Sequence, residues 1–319
     1  MLCFLYSMEK SFSDERFKYL SVVKYPSDKV TYVCLQTFNP KLLKGISDRR
    51  VSFGLRTADV SDNKLHAKGN YVSGGAGIES NILQINRIWD SKPQGKSIDE
   101  ELANYRSAFL EGFYDKAESL VLKPHGITLE QYKKGEVPES LRKQLIEGME
   151  MFRMRREGLI FGTYGIFGGV DEKGSEVYHV SPPDVANKRP YYAMDGSGID
   201  RAEIELSQYI QSLPQHKRTN IDPIEGTEVL LRSLVRAESN EGVGGTPDIV
   251  EVTKSGTRFL EPERTELMRN IVVKELAGDK TREEAIRLLT DVSENGADLE
   301  DIASRIYSPK DVLRYRLAR

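Results

Sequence analysis

The strand-forming segments of this chain come in pairs joined by short turns, and that pairing constrains the fold more than any other feature. Val30 to Phe38 is rich in β-branched and aromatic residues and reads as a strand. Asn39-Pro40 is a turn signal, and Leu42 to Phe53 reads as the returning strand of a hairpin. Leu159 to Val170 turns at Glu172-Lys173-Gly174 into Glu176 to Val180. Ile249 to Val252 turns at Lys254-Ser255-Gly256 into Thr257 to Leu260. Single strands are expected at Tyr71-Val72-Ser73 and at Tyr191 to Met194. Hairpins with helices between them imply antiparallel sheets covered by helix layers, and argue against a doubly wound parallel sheet.

The intervening segments carry the helical period. Ile78, Ile82, Ile85 and Trp89 recur at helical spacing. Ser97 with Glu100 forms a capping box, ahead of a stripe of Leu102, Tyr105, Phe109 and Phe113. Leu141, Leu145, Met149 and Phe152 mark another helix; Ala202, Leu206 and Tyr209 a further one; Val229, Leu230, Leu234 and Ala237 the next. From Pro262 onward the chain is expected to be helical. Leu267, Ile271 and Leu276 give one helix, Thr281 with Glu284 caps a second, and Ser308-Pro309 opens a third. The fold class is therefore expected to be α+β, with antiparallel sheets covered by helix layers.

Composition narrows the partners. Lys plus Arg number 46 against 49 Asp plus Glu, a net charge of -3, which gives no reason to expect nucleic acid or an anionic membrane. No apolar run approaches membrane-spanning length. The apolar opening Met1 to Met8 is short and runs into Glu9-Lys10, so no signal peptide is expected. Two cysteines, Cys3 and Cys34, cannot build a disulfide framework, and a cytoplasmic location is expected. Cys34 alternates within a strand and reads as core. His66, His125, His179 and His216 lack ligand spacing, so no metal is expected, and no cofactor either. Gly74-Gly75-Ala76-Gly77 follows a strand and could cradle a dinucleotide phosphate, but Ser80 stands where the third spaced glycine belongs.

Five local pieces, in order across roughly residues 30 to 260, resemble the β-type subunits of proteasomes and their bacterial relatives, including the Anbu-type proteins. They are Thr31-Tyr32-Val33-Cys34 opening a strand, Ser47-Asp48-Arg49-Arg50, and Lys64 sixteen residues after Asp48. Ala76-Gly77 follows, and then Gly168-Gly169-Val170-Asp171-Glu172 through Tyr178 with Gly196-Ser197-Gly198 at a helix start. The resemblance implies an N-terminal-nucleophile (Ntn) hydrolase that cuts peptide bonds with Thr31 once the preceding residues are removed. It implies a four-layer αββα sandwich of two antiparallel sheets, with residues 1–30 as an N-terminal extension or propeptide and 31–261 as the hydrolase domain. By the same comparison, about 118–157 is a helical insertion and 262–319 a helical C-terminal extension. In such an enzyme the hydroxyl attacks a carbonyl while the same residue's α-amine takes the proton. A free α-amine titrates at about 7.7 to 8.0, which suits a base at cellular pH. By the same resemblance Lys64 activates the hydroxyl, Asp48 holds Lys64, the Gly77 amide forms the oxyanion hole and Ser197 orients the amine.

Some positions depart from that pattern. Val30 stands where the family usually has glycine, and the interval from Thr31 to Asp48 is one residue longer. Alignment on Gly244 places Val243 at the family's serine and Asn240 at its aspartate. Three functions stay open: a threonine peptidase acting on peptides or unfolded proteins, a catalytically silent ring subunit that keeps its extension, and an amidase or transpeptidase. The resemblance implies a homo-oligomeric ring or open array; an ATPase partner is left undetermined.

Overall fold

The computed structural model describes residues 28–30, 32–53, 56–59, 64–154, 163–181, 185–240, 243–293 and 297–307. Thr31, most of the N-terminal extension and the helix expected from Ser308-Pro309 lie outside the described residues.

The first sheet contains β1 (Asp28–Val30), β4 (Arg50–Phe53), β5 (Arg56–Asp59), β6 (Leu65–Lys68), β7 (Tyr71–Ile78), β8 (Thr163–Asp171), β9 (Gly174–Ser181) and β10 (Val185–Arg189). Its order is β10-β9-β8-β7-β1-β4-β5, with β6 also on β7. The second sheet contains β2 (Val33–Asn39), β3 (Leu42–Ser47), β11 (Tyr192–Asp195), β12 (Asp248–Thr253) and β13 (Gly256–Phe259), ordered β11-β2-β3-β12-β13. Every pairing among the described strands is antiparallel. This agrees with the expectation drawn from the turn-linked pairs.

Three apolar clusters define the layers. Val33, Leu35, Leu43, Val72, Ile166 and Val177 fill the space between the sheets. The outer face of the first sheet is covered by α1 (Glu79–Ser91) and α2 (Ile98–Ala117), through Ile85, Trp89, Tyr105, Phe109 and Phe113. After a π-helical turn at Glu118–Leu122 come α3 (Leu129–Lys134) and α4 (Glu139–Met154). Leu145, Met149 and Phe152 of α4 pack into the same cluster, so the insertion thickens this layer. The outer face of the second sheet is covered by α5 (Ile199–Ser212) and α6 (Pro223–Ala237), and beyond them by α7 (Pro262–Leu276), α8 (Arg282–Ser293) and α9 (Leu299–Ile306). One continuous cluster runs from Phe38 and Ile46 through Leu230 and Leu234 to Ile271, Leu289 and Ile302. Each such side chain contributes roughly 1.5–3 kcal/mol on full burial, so the C-terminal helices add to the same core.

Two local details depart from the sequence reading. The strand expected from Leu42 to Phe53 breaks at Asp48-Arg49, where the chain leaves the second sheet and enters the first as β4. The helix α9 begins at Leu299, where the Asp298 carboxylate accepts from the Glu300 and Asp301 amides at 3.0 and 3.1 Å.

Candidate active site at the sheet crossovers

The chain changes sheets twice at neighbouring points. It passes from β1 to β2 across residues 31 and 32, and from β3 to β4 across Asp48 and Arg49. Pairing on both sides fixes these crossovers next to each other, since Val30 opposes Val51 and Val33 opposes Ser47. Backbone groups at a crossover lose their ladder partners and must be satisfied otherwise. The Asp48 amide donates to the Tyr32 carbonyl at 3.4 Å, and the Arg49 amide to the Gly244 carbonyl at 3.1 Å.

The Asp48 side chain does most of the remaining work. It is fully buried, and Lys64 is 5% exposed. Oδ1 accepts from Lys64 Nζ at 2.6 Å, while Oδ2 accepts from the Arg50 amide at 3.2 Å and the Gly244 amide at 3.1 Å. Lys64 Nζ also donates to the Arg50 carbonyl. A buried carboxylate is tolerable only with such charge-assisted bonds, and the three donors come from three separate segments. Burial pushes the Lys64 ammonium below the ordinary lysine value, and Asp48, Asp248 and Glu79 oppose that shift. Beside it, Arg49 grips Asp248 through Nε at 2.9 Å and Nη2 at 2.6 Å. Burial still leaves the Asp248 carboxyl above its usual range, against the pull of Arg49.

Gly77, one residue before the end of β7, stands directly opposite Val30 and Thr163, with φ at +114°. Glycine is favoured where φ is positive, and the turn into α1 uses that freedom. Ser197 lies exposed in the loop before α5, and its carbonyl accepts from Asn240 Nδ2 at 2.8 Å. The segment containing Asn240 and Val243 to Gly245 therefore links the Ser197 loop to Asp48, because Gly244 bonds the carboxylate. Gly244 adopts φ of +153°, and a Cβ there would stand 2.7 Å from Arg50 Nη1. Val243 is buried and its carbonyl accepts from Arg50 at 3.3 Å.

Asp48 and Lys64 are thus in direct contact, Gly77 opposes Val30 from the neighbouring strand, and the Ser197 carbonyl accepts from Asn240. Thr31 itself is outside the described residues. Sequence reasoning missed Asp248 and Glu79, whose charges act on Lys64; nothing in local spacing marks them, because both reach the site through tertiary packing. Among the described residues no set of His, Cys, Asp and Glu could hold a metal ion, and no helix is long and apolar enough to cross a membrane. No protein-family model matches this chain, and no curated protein matches it. Its function is therefore argued from this geometry.

Proposed function

We propose that the chain is a proteasome-like Ntn hydrolase that removes its own leader and then cuts peptide bonds with Thr31. The observation that carries this reading is the buried Lys64–Asp48 pair at a sheet crossover, where Val30 at the end of β1 pairs with Val51 just after Asp48-Arg49-Arg50. In addition, Asp28 to Val30 lies as an extended strand between β7 and β4. That is how the acyl half of a peptide would lie in a slot bounded by two strand edges.

In processing, the Thr31 hydroxyl oxygen adds to the Val30 carbonyl, the C–N bond breaks, and an ester to Thr31 replaces the amide. Water hydrolyses that ester, giving a carboxylate at residue 30 and a free α-amine at Thr31. In each later turnover the amine takes the hydroxyl proton and delivers it to the leaving amine, and water then releases the acyl group. Lys64, as an ammonium, favours the ionised hydroxyl. Asp48 keeps that ammonium charged and aimed, and the Gly77 amide is the donor to the oxyanion. One such donor is worth about 3–4 kcal/mol in the transition state. Peptides or unfolded proteins are the substrates, and subunits assemble as a homo-oligomer in the cytoplasm.

A second reading is favoured by the same leader strand. Residues 28–30 join β7 to β4, so removing them would open the first sheet. A silent ring subunit would keep them. Intact mass and N-terminal sequencing of the purified protein separate the two. A mature chain starting at Thr31, absent in Thr31→Ala, supports the hydrolase; a stable full-length wild-type chain overturns it in favour of the silent subunit.

A further inference from the structure

Opposite Lys64 and Asp48, on the other flank of β2, stands a second acid–base pair that the proposed chemistry does not use. β2 lies between β3, which leads into Asp48, and β11, which ends at Asp195. Asp195 is the cross-strand partner of Val33. Its Oδ2 lies 3.3 Å from His179 Nε2 on β9, so the pair spans the two sheets. Side chains two apart on a strand share a face. His179 and Asp195 therefore follow Val177 and Ala193, which are part of the cluster between the sheets. They cap that apolar layer at the end where the crossovers lie. Tyr164, whose partner on β7 is Ala76 beside Gly77, places its ring 6.0 Å from the His179 ring.

The chemistry of this group differs from that of the buried pair. The His179 and Asp195 side chains are 21% and 17% exposed, against 3% and 0% for Lys64 and Asp48. Asp195 Oδ1 accepts from the Gly196 amide at 2.7 Å, which fixes the carboxylate. Among the described residues no Lys or Arg pairs with Asp195, and His179 makes no side-chain hydrogen bond besides that to Asp195. A carboxylate on Nε2 selects the tautomer with its proton there, leaving Nδ1 as an acceptor. A fixed carboxylate, an acceptor nitrogen and an aromatic ring at one solvent-reachable spot together favour a cation.

Position relative to the scissile bond assigns that cation to one half of the substrate. The acyl half has its slot between β7 and β4 in the first sheet, whereas β11 lies beside β2 in the second. In the uncleaved chain the leaving half is β2 itself, which runs alongside Asp195. We infer that His179 and Asp195 form a recognition site for a basic side chain on the leaving-group side of the cleaved bond. This rests on the hydrolase reading for its role, though not for its ability to bind a cation.

Two measurements on the full chain test it. Lysinamide and norleucinamide, alike in length but differing in charge, are titrated against the protein while the His179 ring signals are followed by NMR. Lysinamide should shift those signals at least about tenfold more tightly than norleucinamide, a difference typical of one partly exposed charge contact. Asp195→Asn should remove the difference, and His179→Gln should lower lysinamide affinity, with thermal unfolding confirming that both variants fold. Equal binding of the two amides, or an undiminished preference in folded Asp195→Asn, overturns the proposal. This arm needs no catalysis. The second arm compares kcat/KM for peptides with Lys or norleucine just after the cleaved bond; the Lys preference should be about tenfold and vanish in Asp195→Asn. Turnover without that preference sinks the recognition site and leaves the hydrolase standing. Lysinamide binding with no turnover and no processing does the reverse.

Discussion

Among the described residues two lysines are buried, and their surroundings differ in a way that separates holding from acting. Lys44 is 4% exposed in the middle of β3, and Lys64 is 5% exposed beside the crossovers. Lys44 donates to Thr227 at 2.8 Å and pairs with Glu251 at 2.9 Å, with the Phe38 ring 5.6 Å away. Glu251 reaches the surface and also binds Arg258 at 2.6 Å, and these cations hold its carboxyl below the usual range in spite of burial. The result is a clamp between β3, β12 and α6, whose anion keeps a second cation and contact with water. The partner of Lys64 is fully enclosed and also accepts from the Arg50 and Gly244 amides. A lysine bound to a partly exposed, twice-paired carboxylate is structural. One whose charge is disfavoured by burial and whose carboxylate is fully enclosed is poised to change or lend its charge.

The largest effect that could break this contrast comes from Lys64→Met. It removes the ammonium from the buried Asp48 carboxylate, and removing one partner of a buried pair costs about 3–5 kcal/mol. Processing and peptide cleavage should fall by about a thousandfold or more, on the scale of losing a principal electrostatic group. Adding Asp48→Asn to Lys64→Met should restore most of the stability and none of the activity. Urea midpoints and the rate of leader removal read the two separately. A Lys64→Met protein that processes at the wild-type rate would make this lysine a structural clamp like Lys44.

The pH dependence sharpens the same point. Lys64 is cationic below its lowered pKa and neutral above it. Activity that needs the ammonium is present on the acid side and lost as pH rises through that value, beneath the ordinary lysine value of about 10.4. Between those two values the unfolded chain holds the extra proton, so this group's contribution to stability rises with pH while activity falls. A kcat/KM profile beside a denaturation series from pH 7 to the alkaline end checks both signs. An alkaline limb at or above about 10.4 would remove Lys64 from the chemistry.

Much of this was legible in the sequence where the signal is local. The turns at Asn39-Pro40, Lys173-Gly174 and Ser255-Gly256 each close an observed hairpin, and Ser97 and Thr281 accept from the amides of Glu100 and Glu284. The sixteen-residue interval from Asp48 to Lys64 is spanned by a direct bond. The sheet change at Asp48-Arg49 was not legible, because strand-forming residues continue on both sides of it. Val185–Arg189 was missed because an exposed edge strand carries Asn, Lys and Arg and lacks an apolar alternation. The pairing of Asn240 with the Ser197 carbonyl joins residues 43 apart, and His179 and Asp195, though separated by the same sixteen residues as Asp48 and Lys64, sit on strands of different sheets with no motif to pair them. Spacing along the chain records nothing of such contacts.

Lys44→Met should give a smaller effect of a different kind. Glu251 keeps Arg258 and its access to water, so no anion is stranded, while Thr227 still donates to the Pro223 carbonyl. Stability should drop by about 1–2 kcal/mol, the scale of losing one charged hydrogen bond, with leader removal unchanged. A loss of processing in a protein whose urea midpoint has barely moved would mean that the clamp reaches the site after all.

The smallest effect lies directly across from Lys44. Gln36 is its cross-strand partner, is fully buried, and among the described residues has no hydrogen bond to either the oxygen or the nitrogen of its amide. An orphaned buried polar group costs about 1–3 kcal/mol, whereas an apolar group of the same shape carries no such penalty. Gln36→Met keeps the length and removes the orphan, so it should raise stability by about 1 kcal/mol in a urea titration without changing leader removal. Ser47, next to Asp48 and equally buried, also has no hydroxyl partner among the described residues. Ser47→Ala should therefore be neutral or slightly stabilising if that hydroxyl has no role in the chemistry. A protein that gains stability from Gln36→Met but loses processing from Ser47→Ala would show that unpaired polar groups are faults beside Lys44 and parts of the reaction centre beside Lys64.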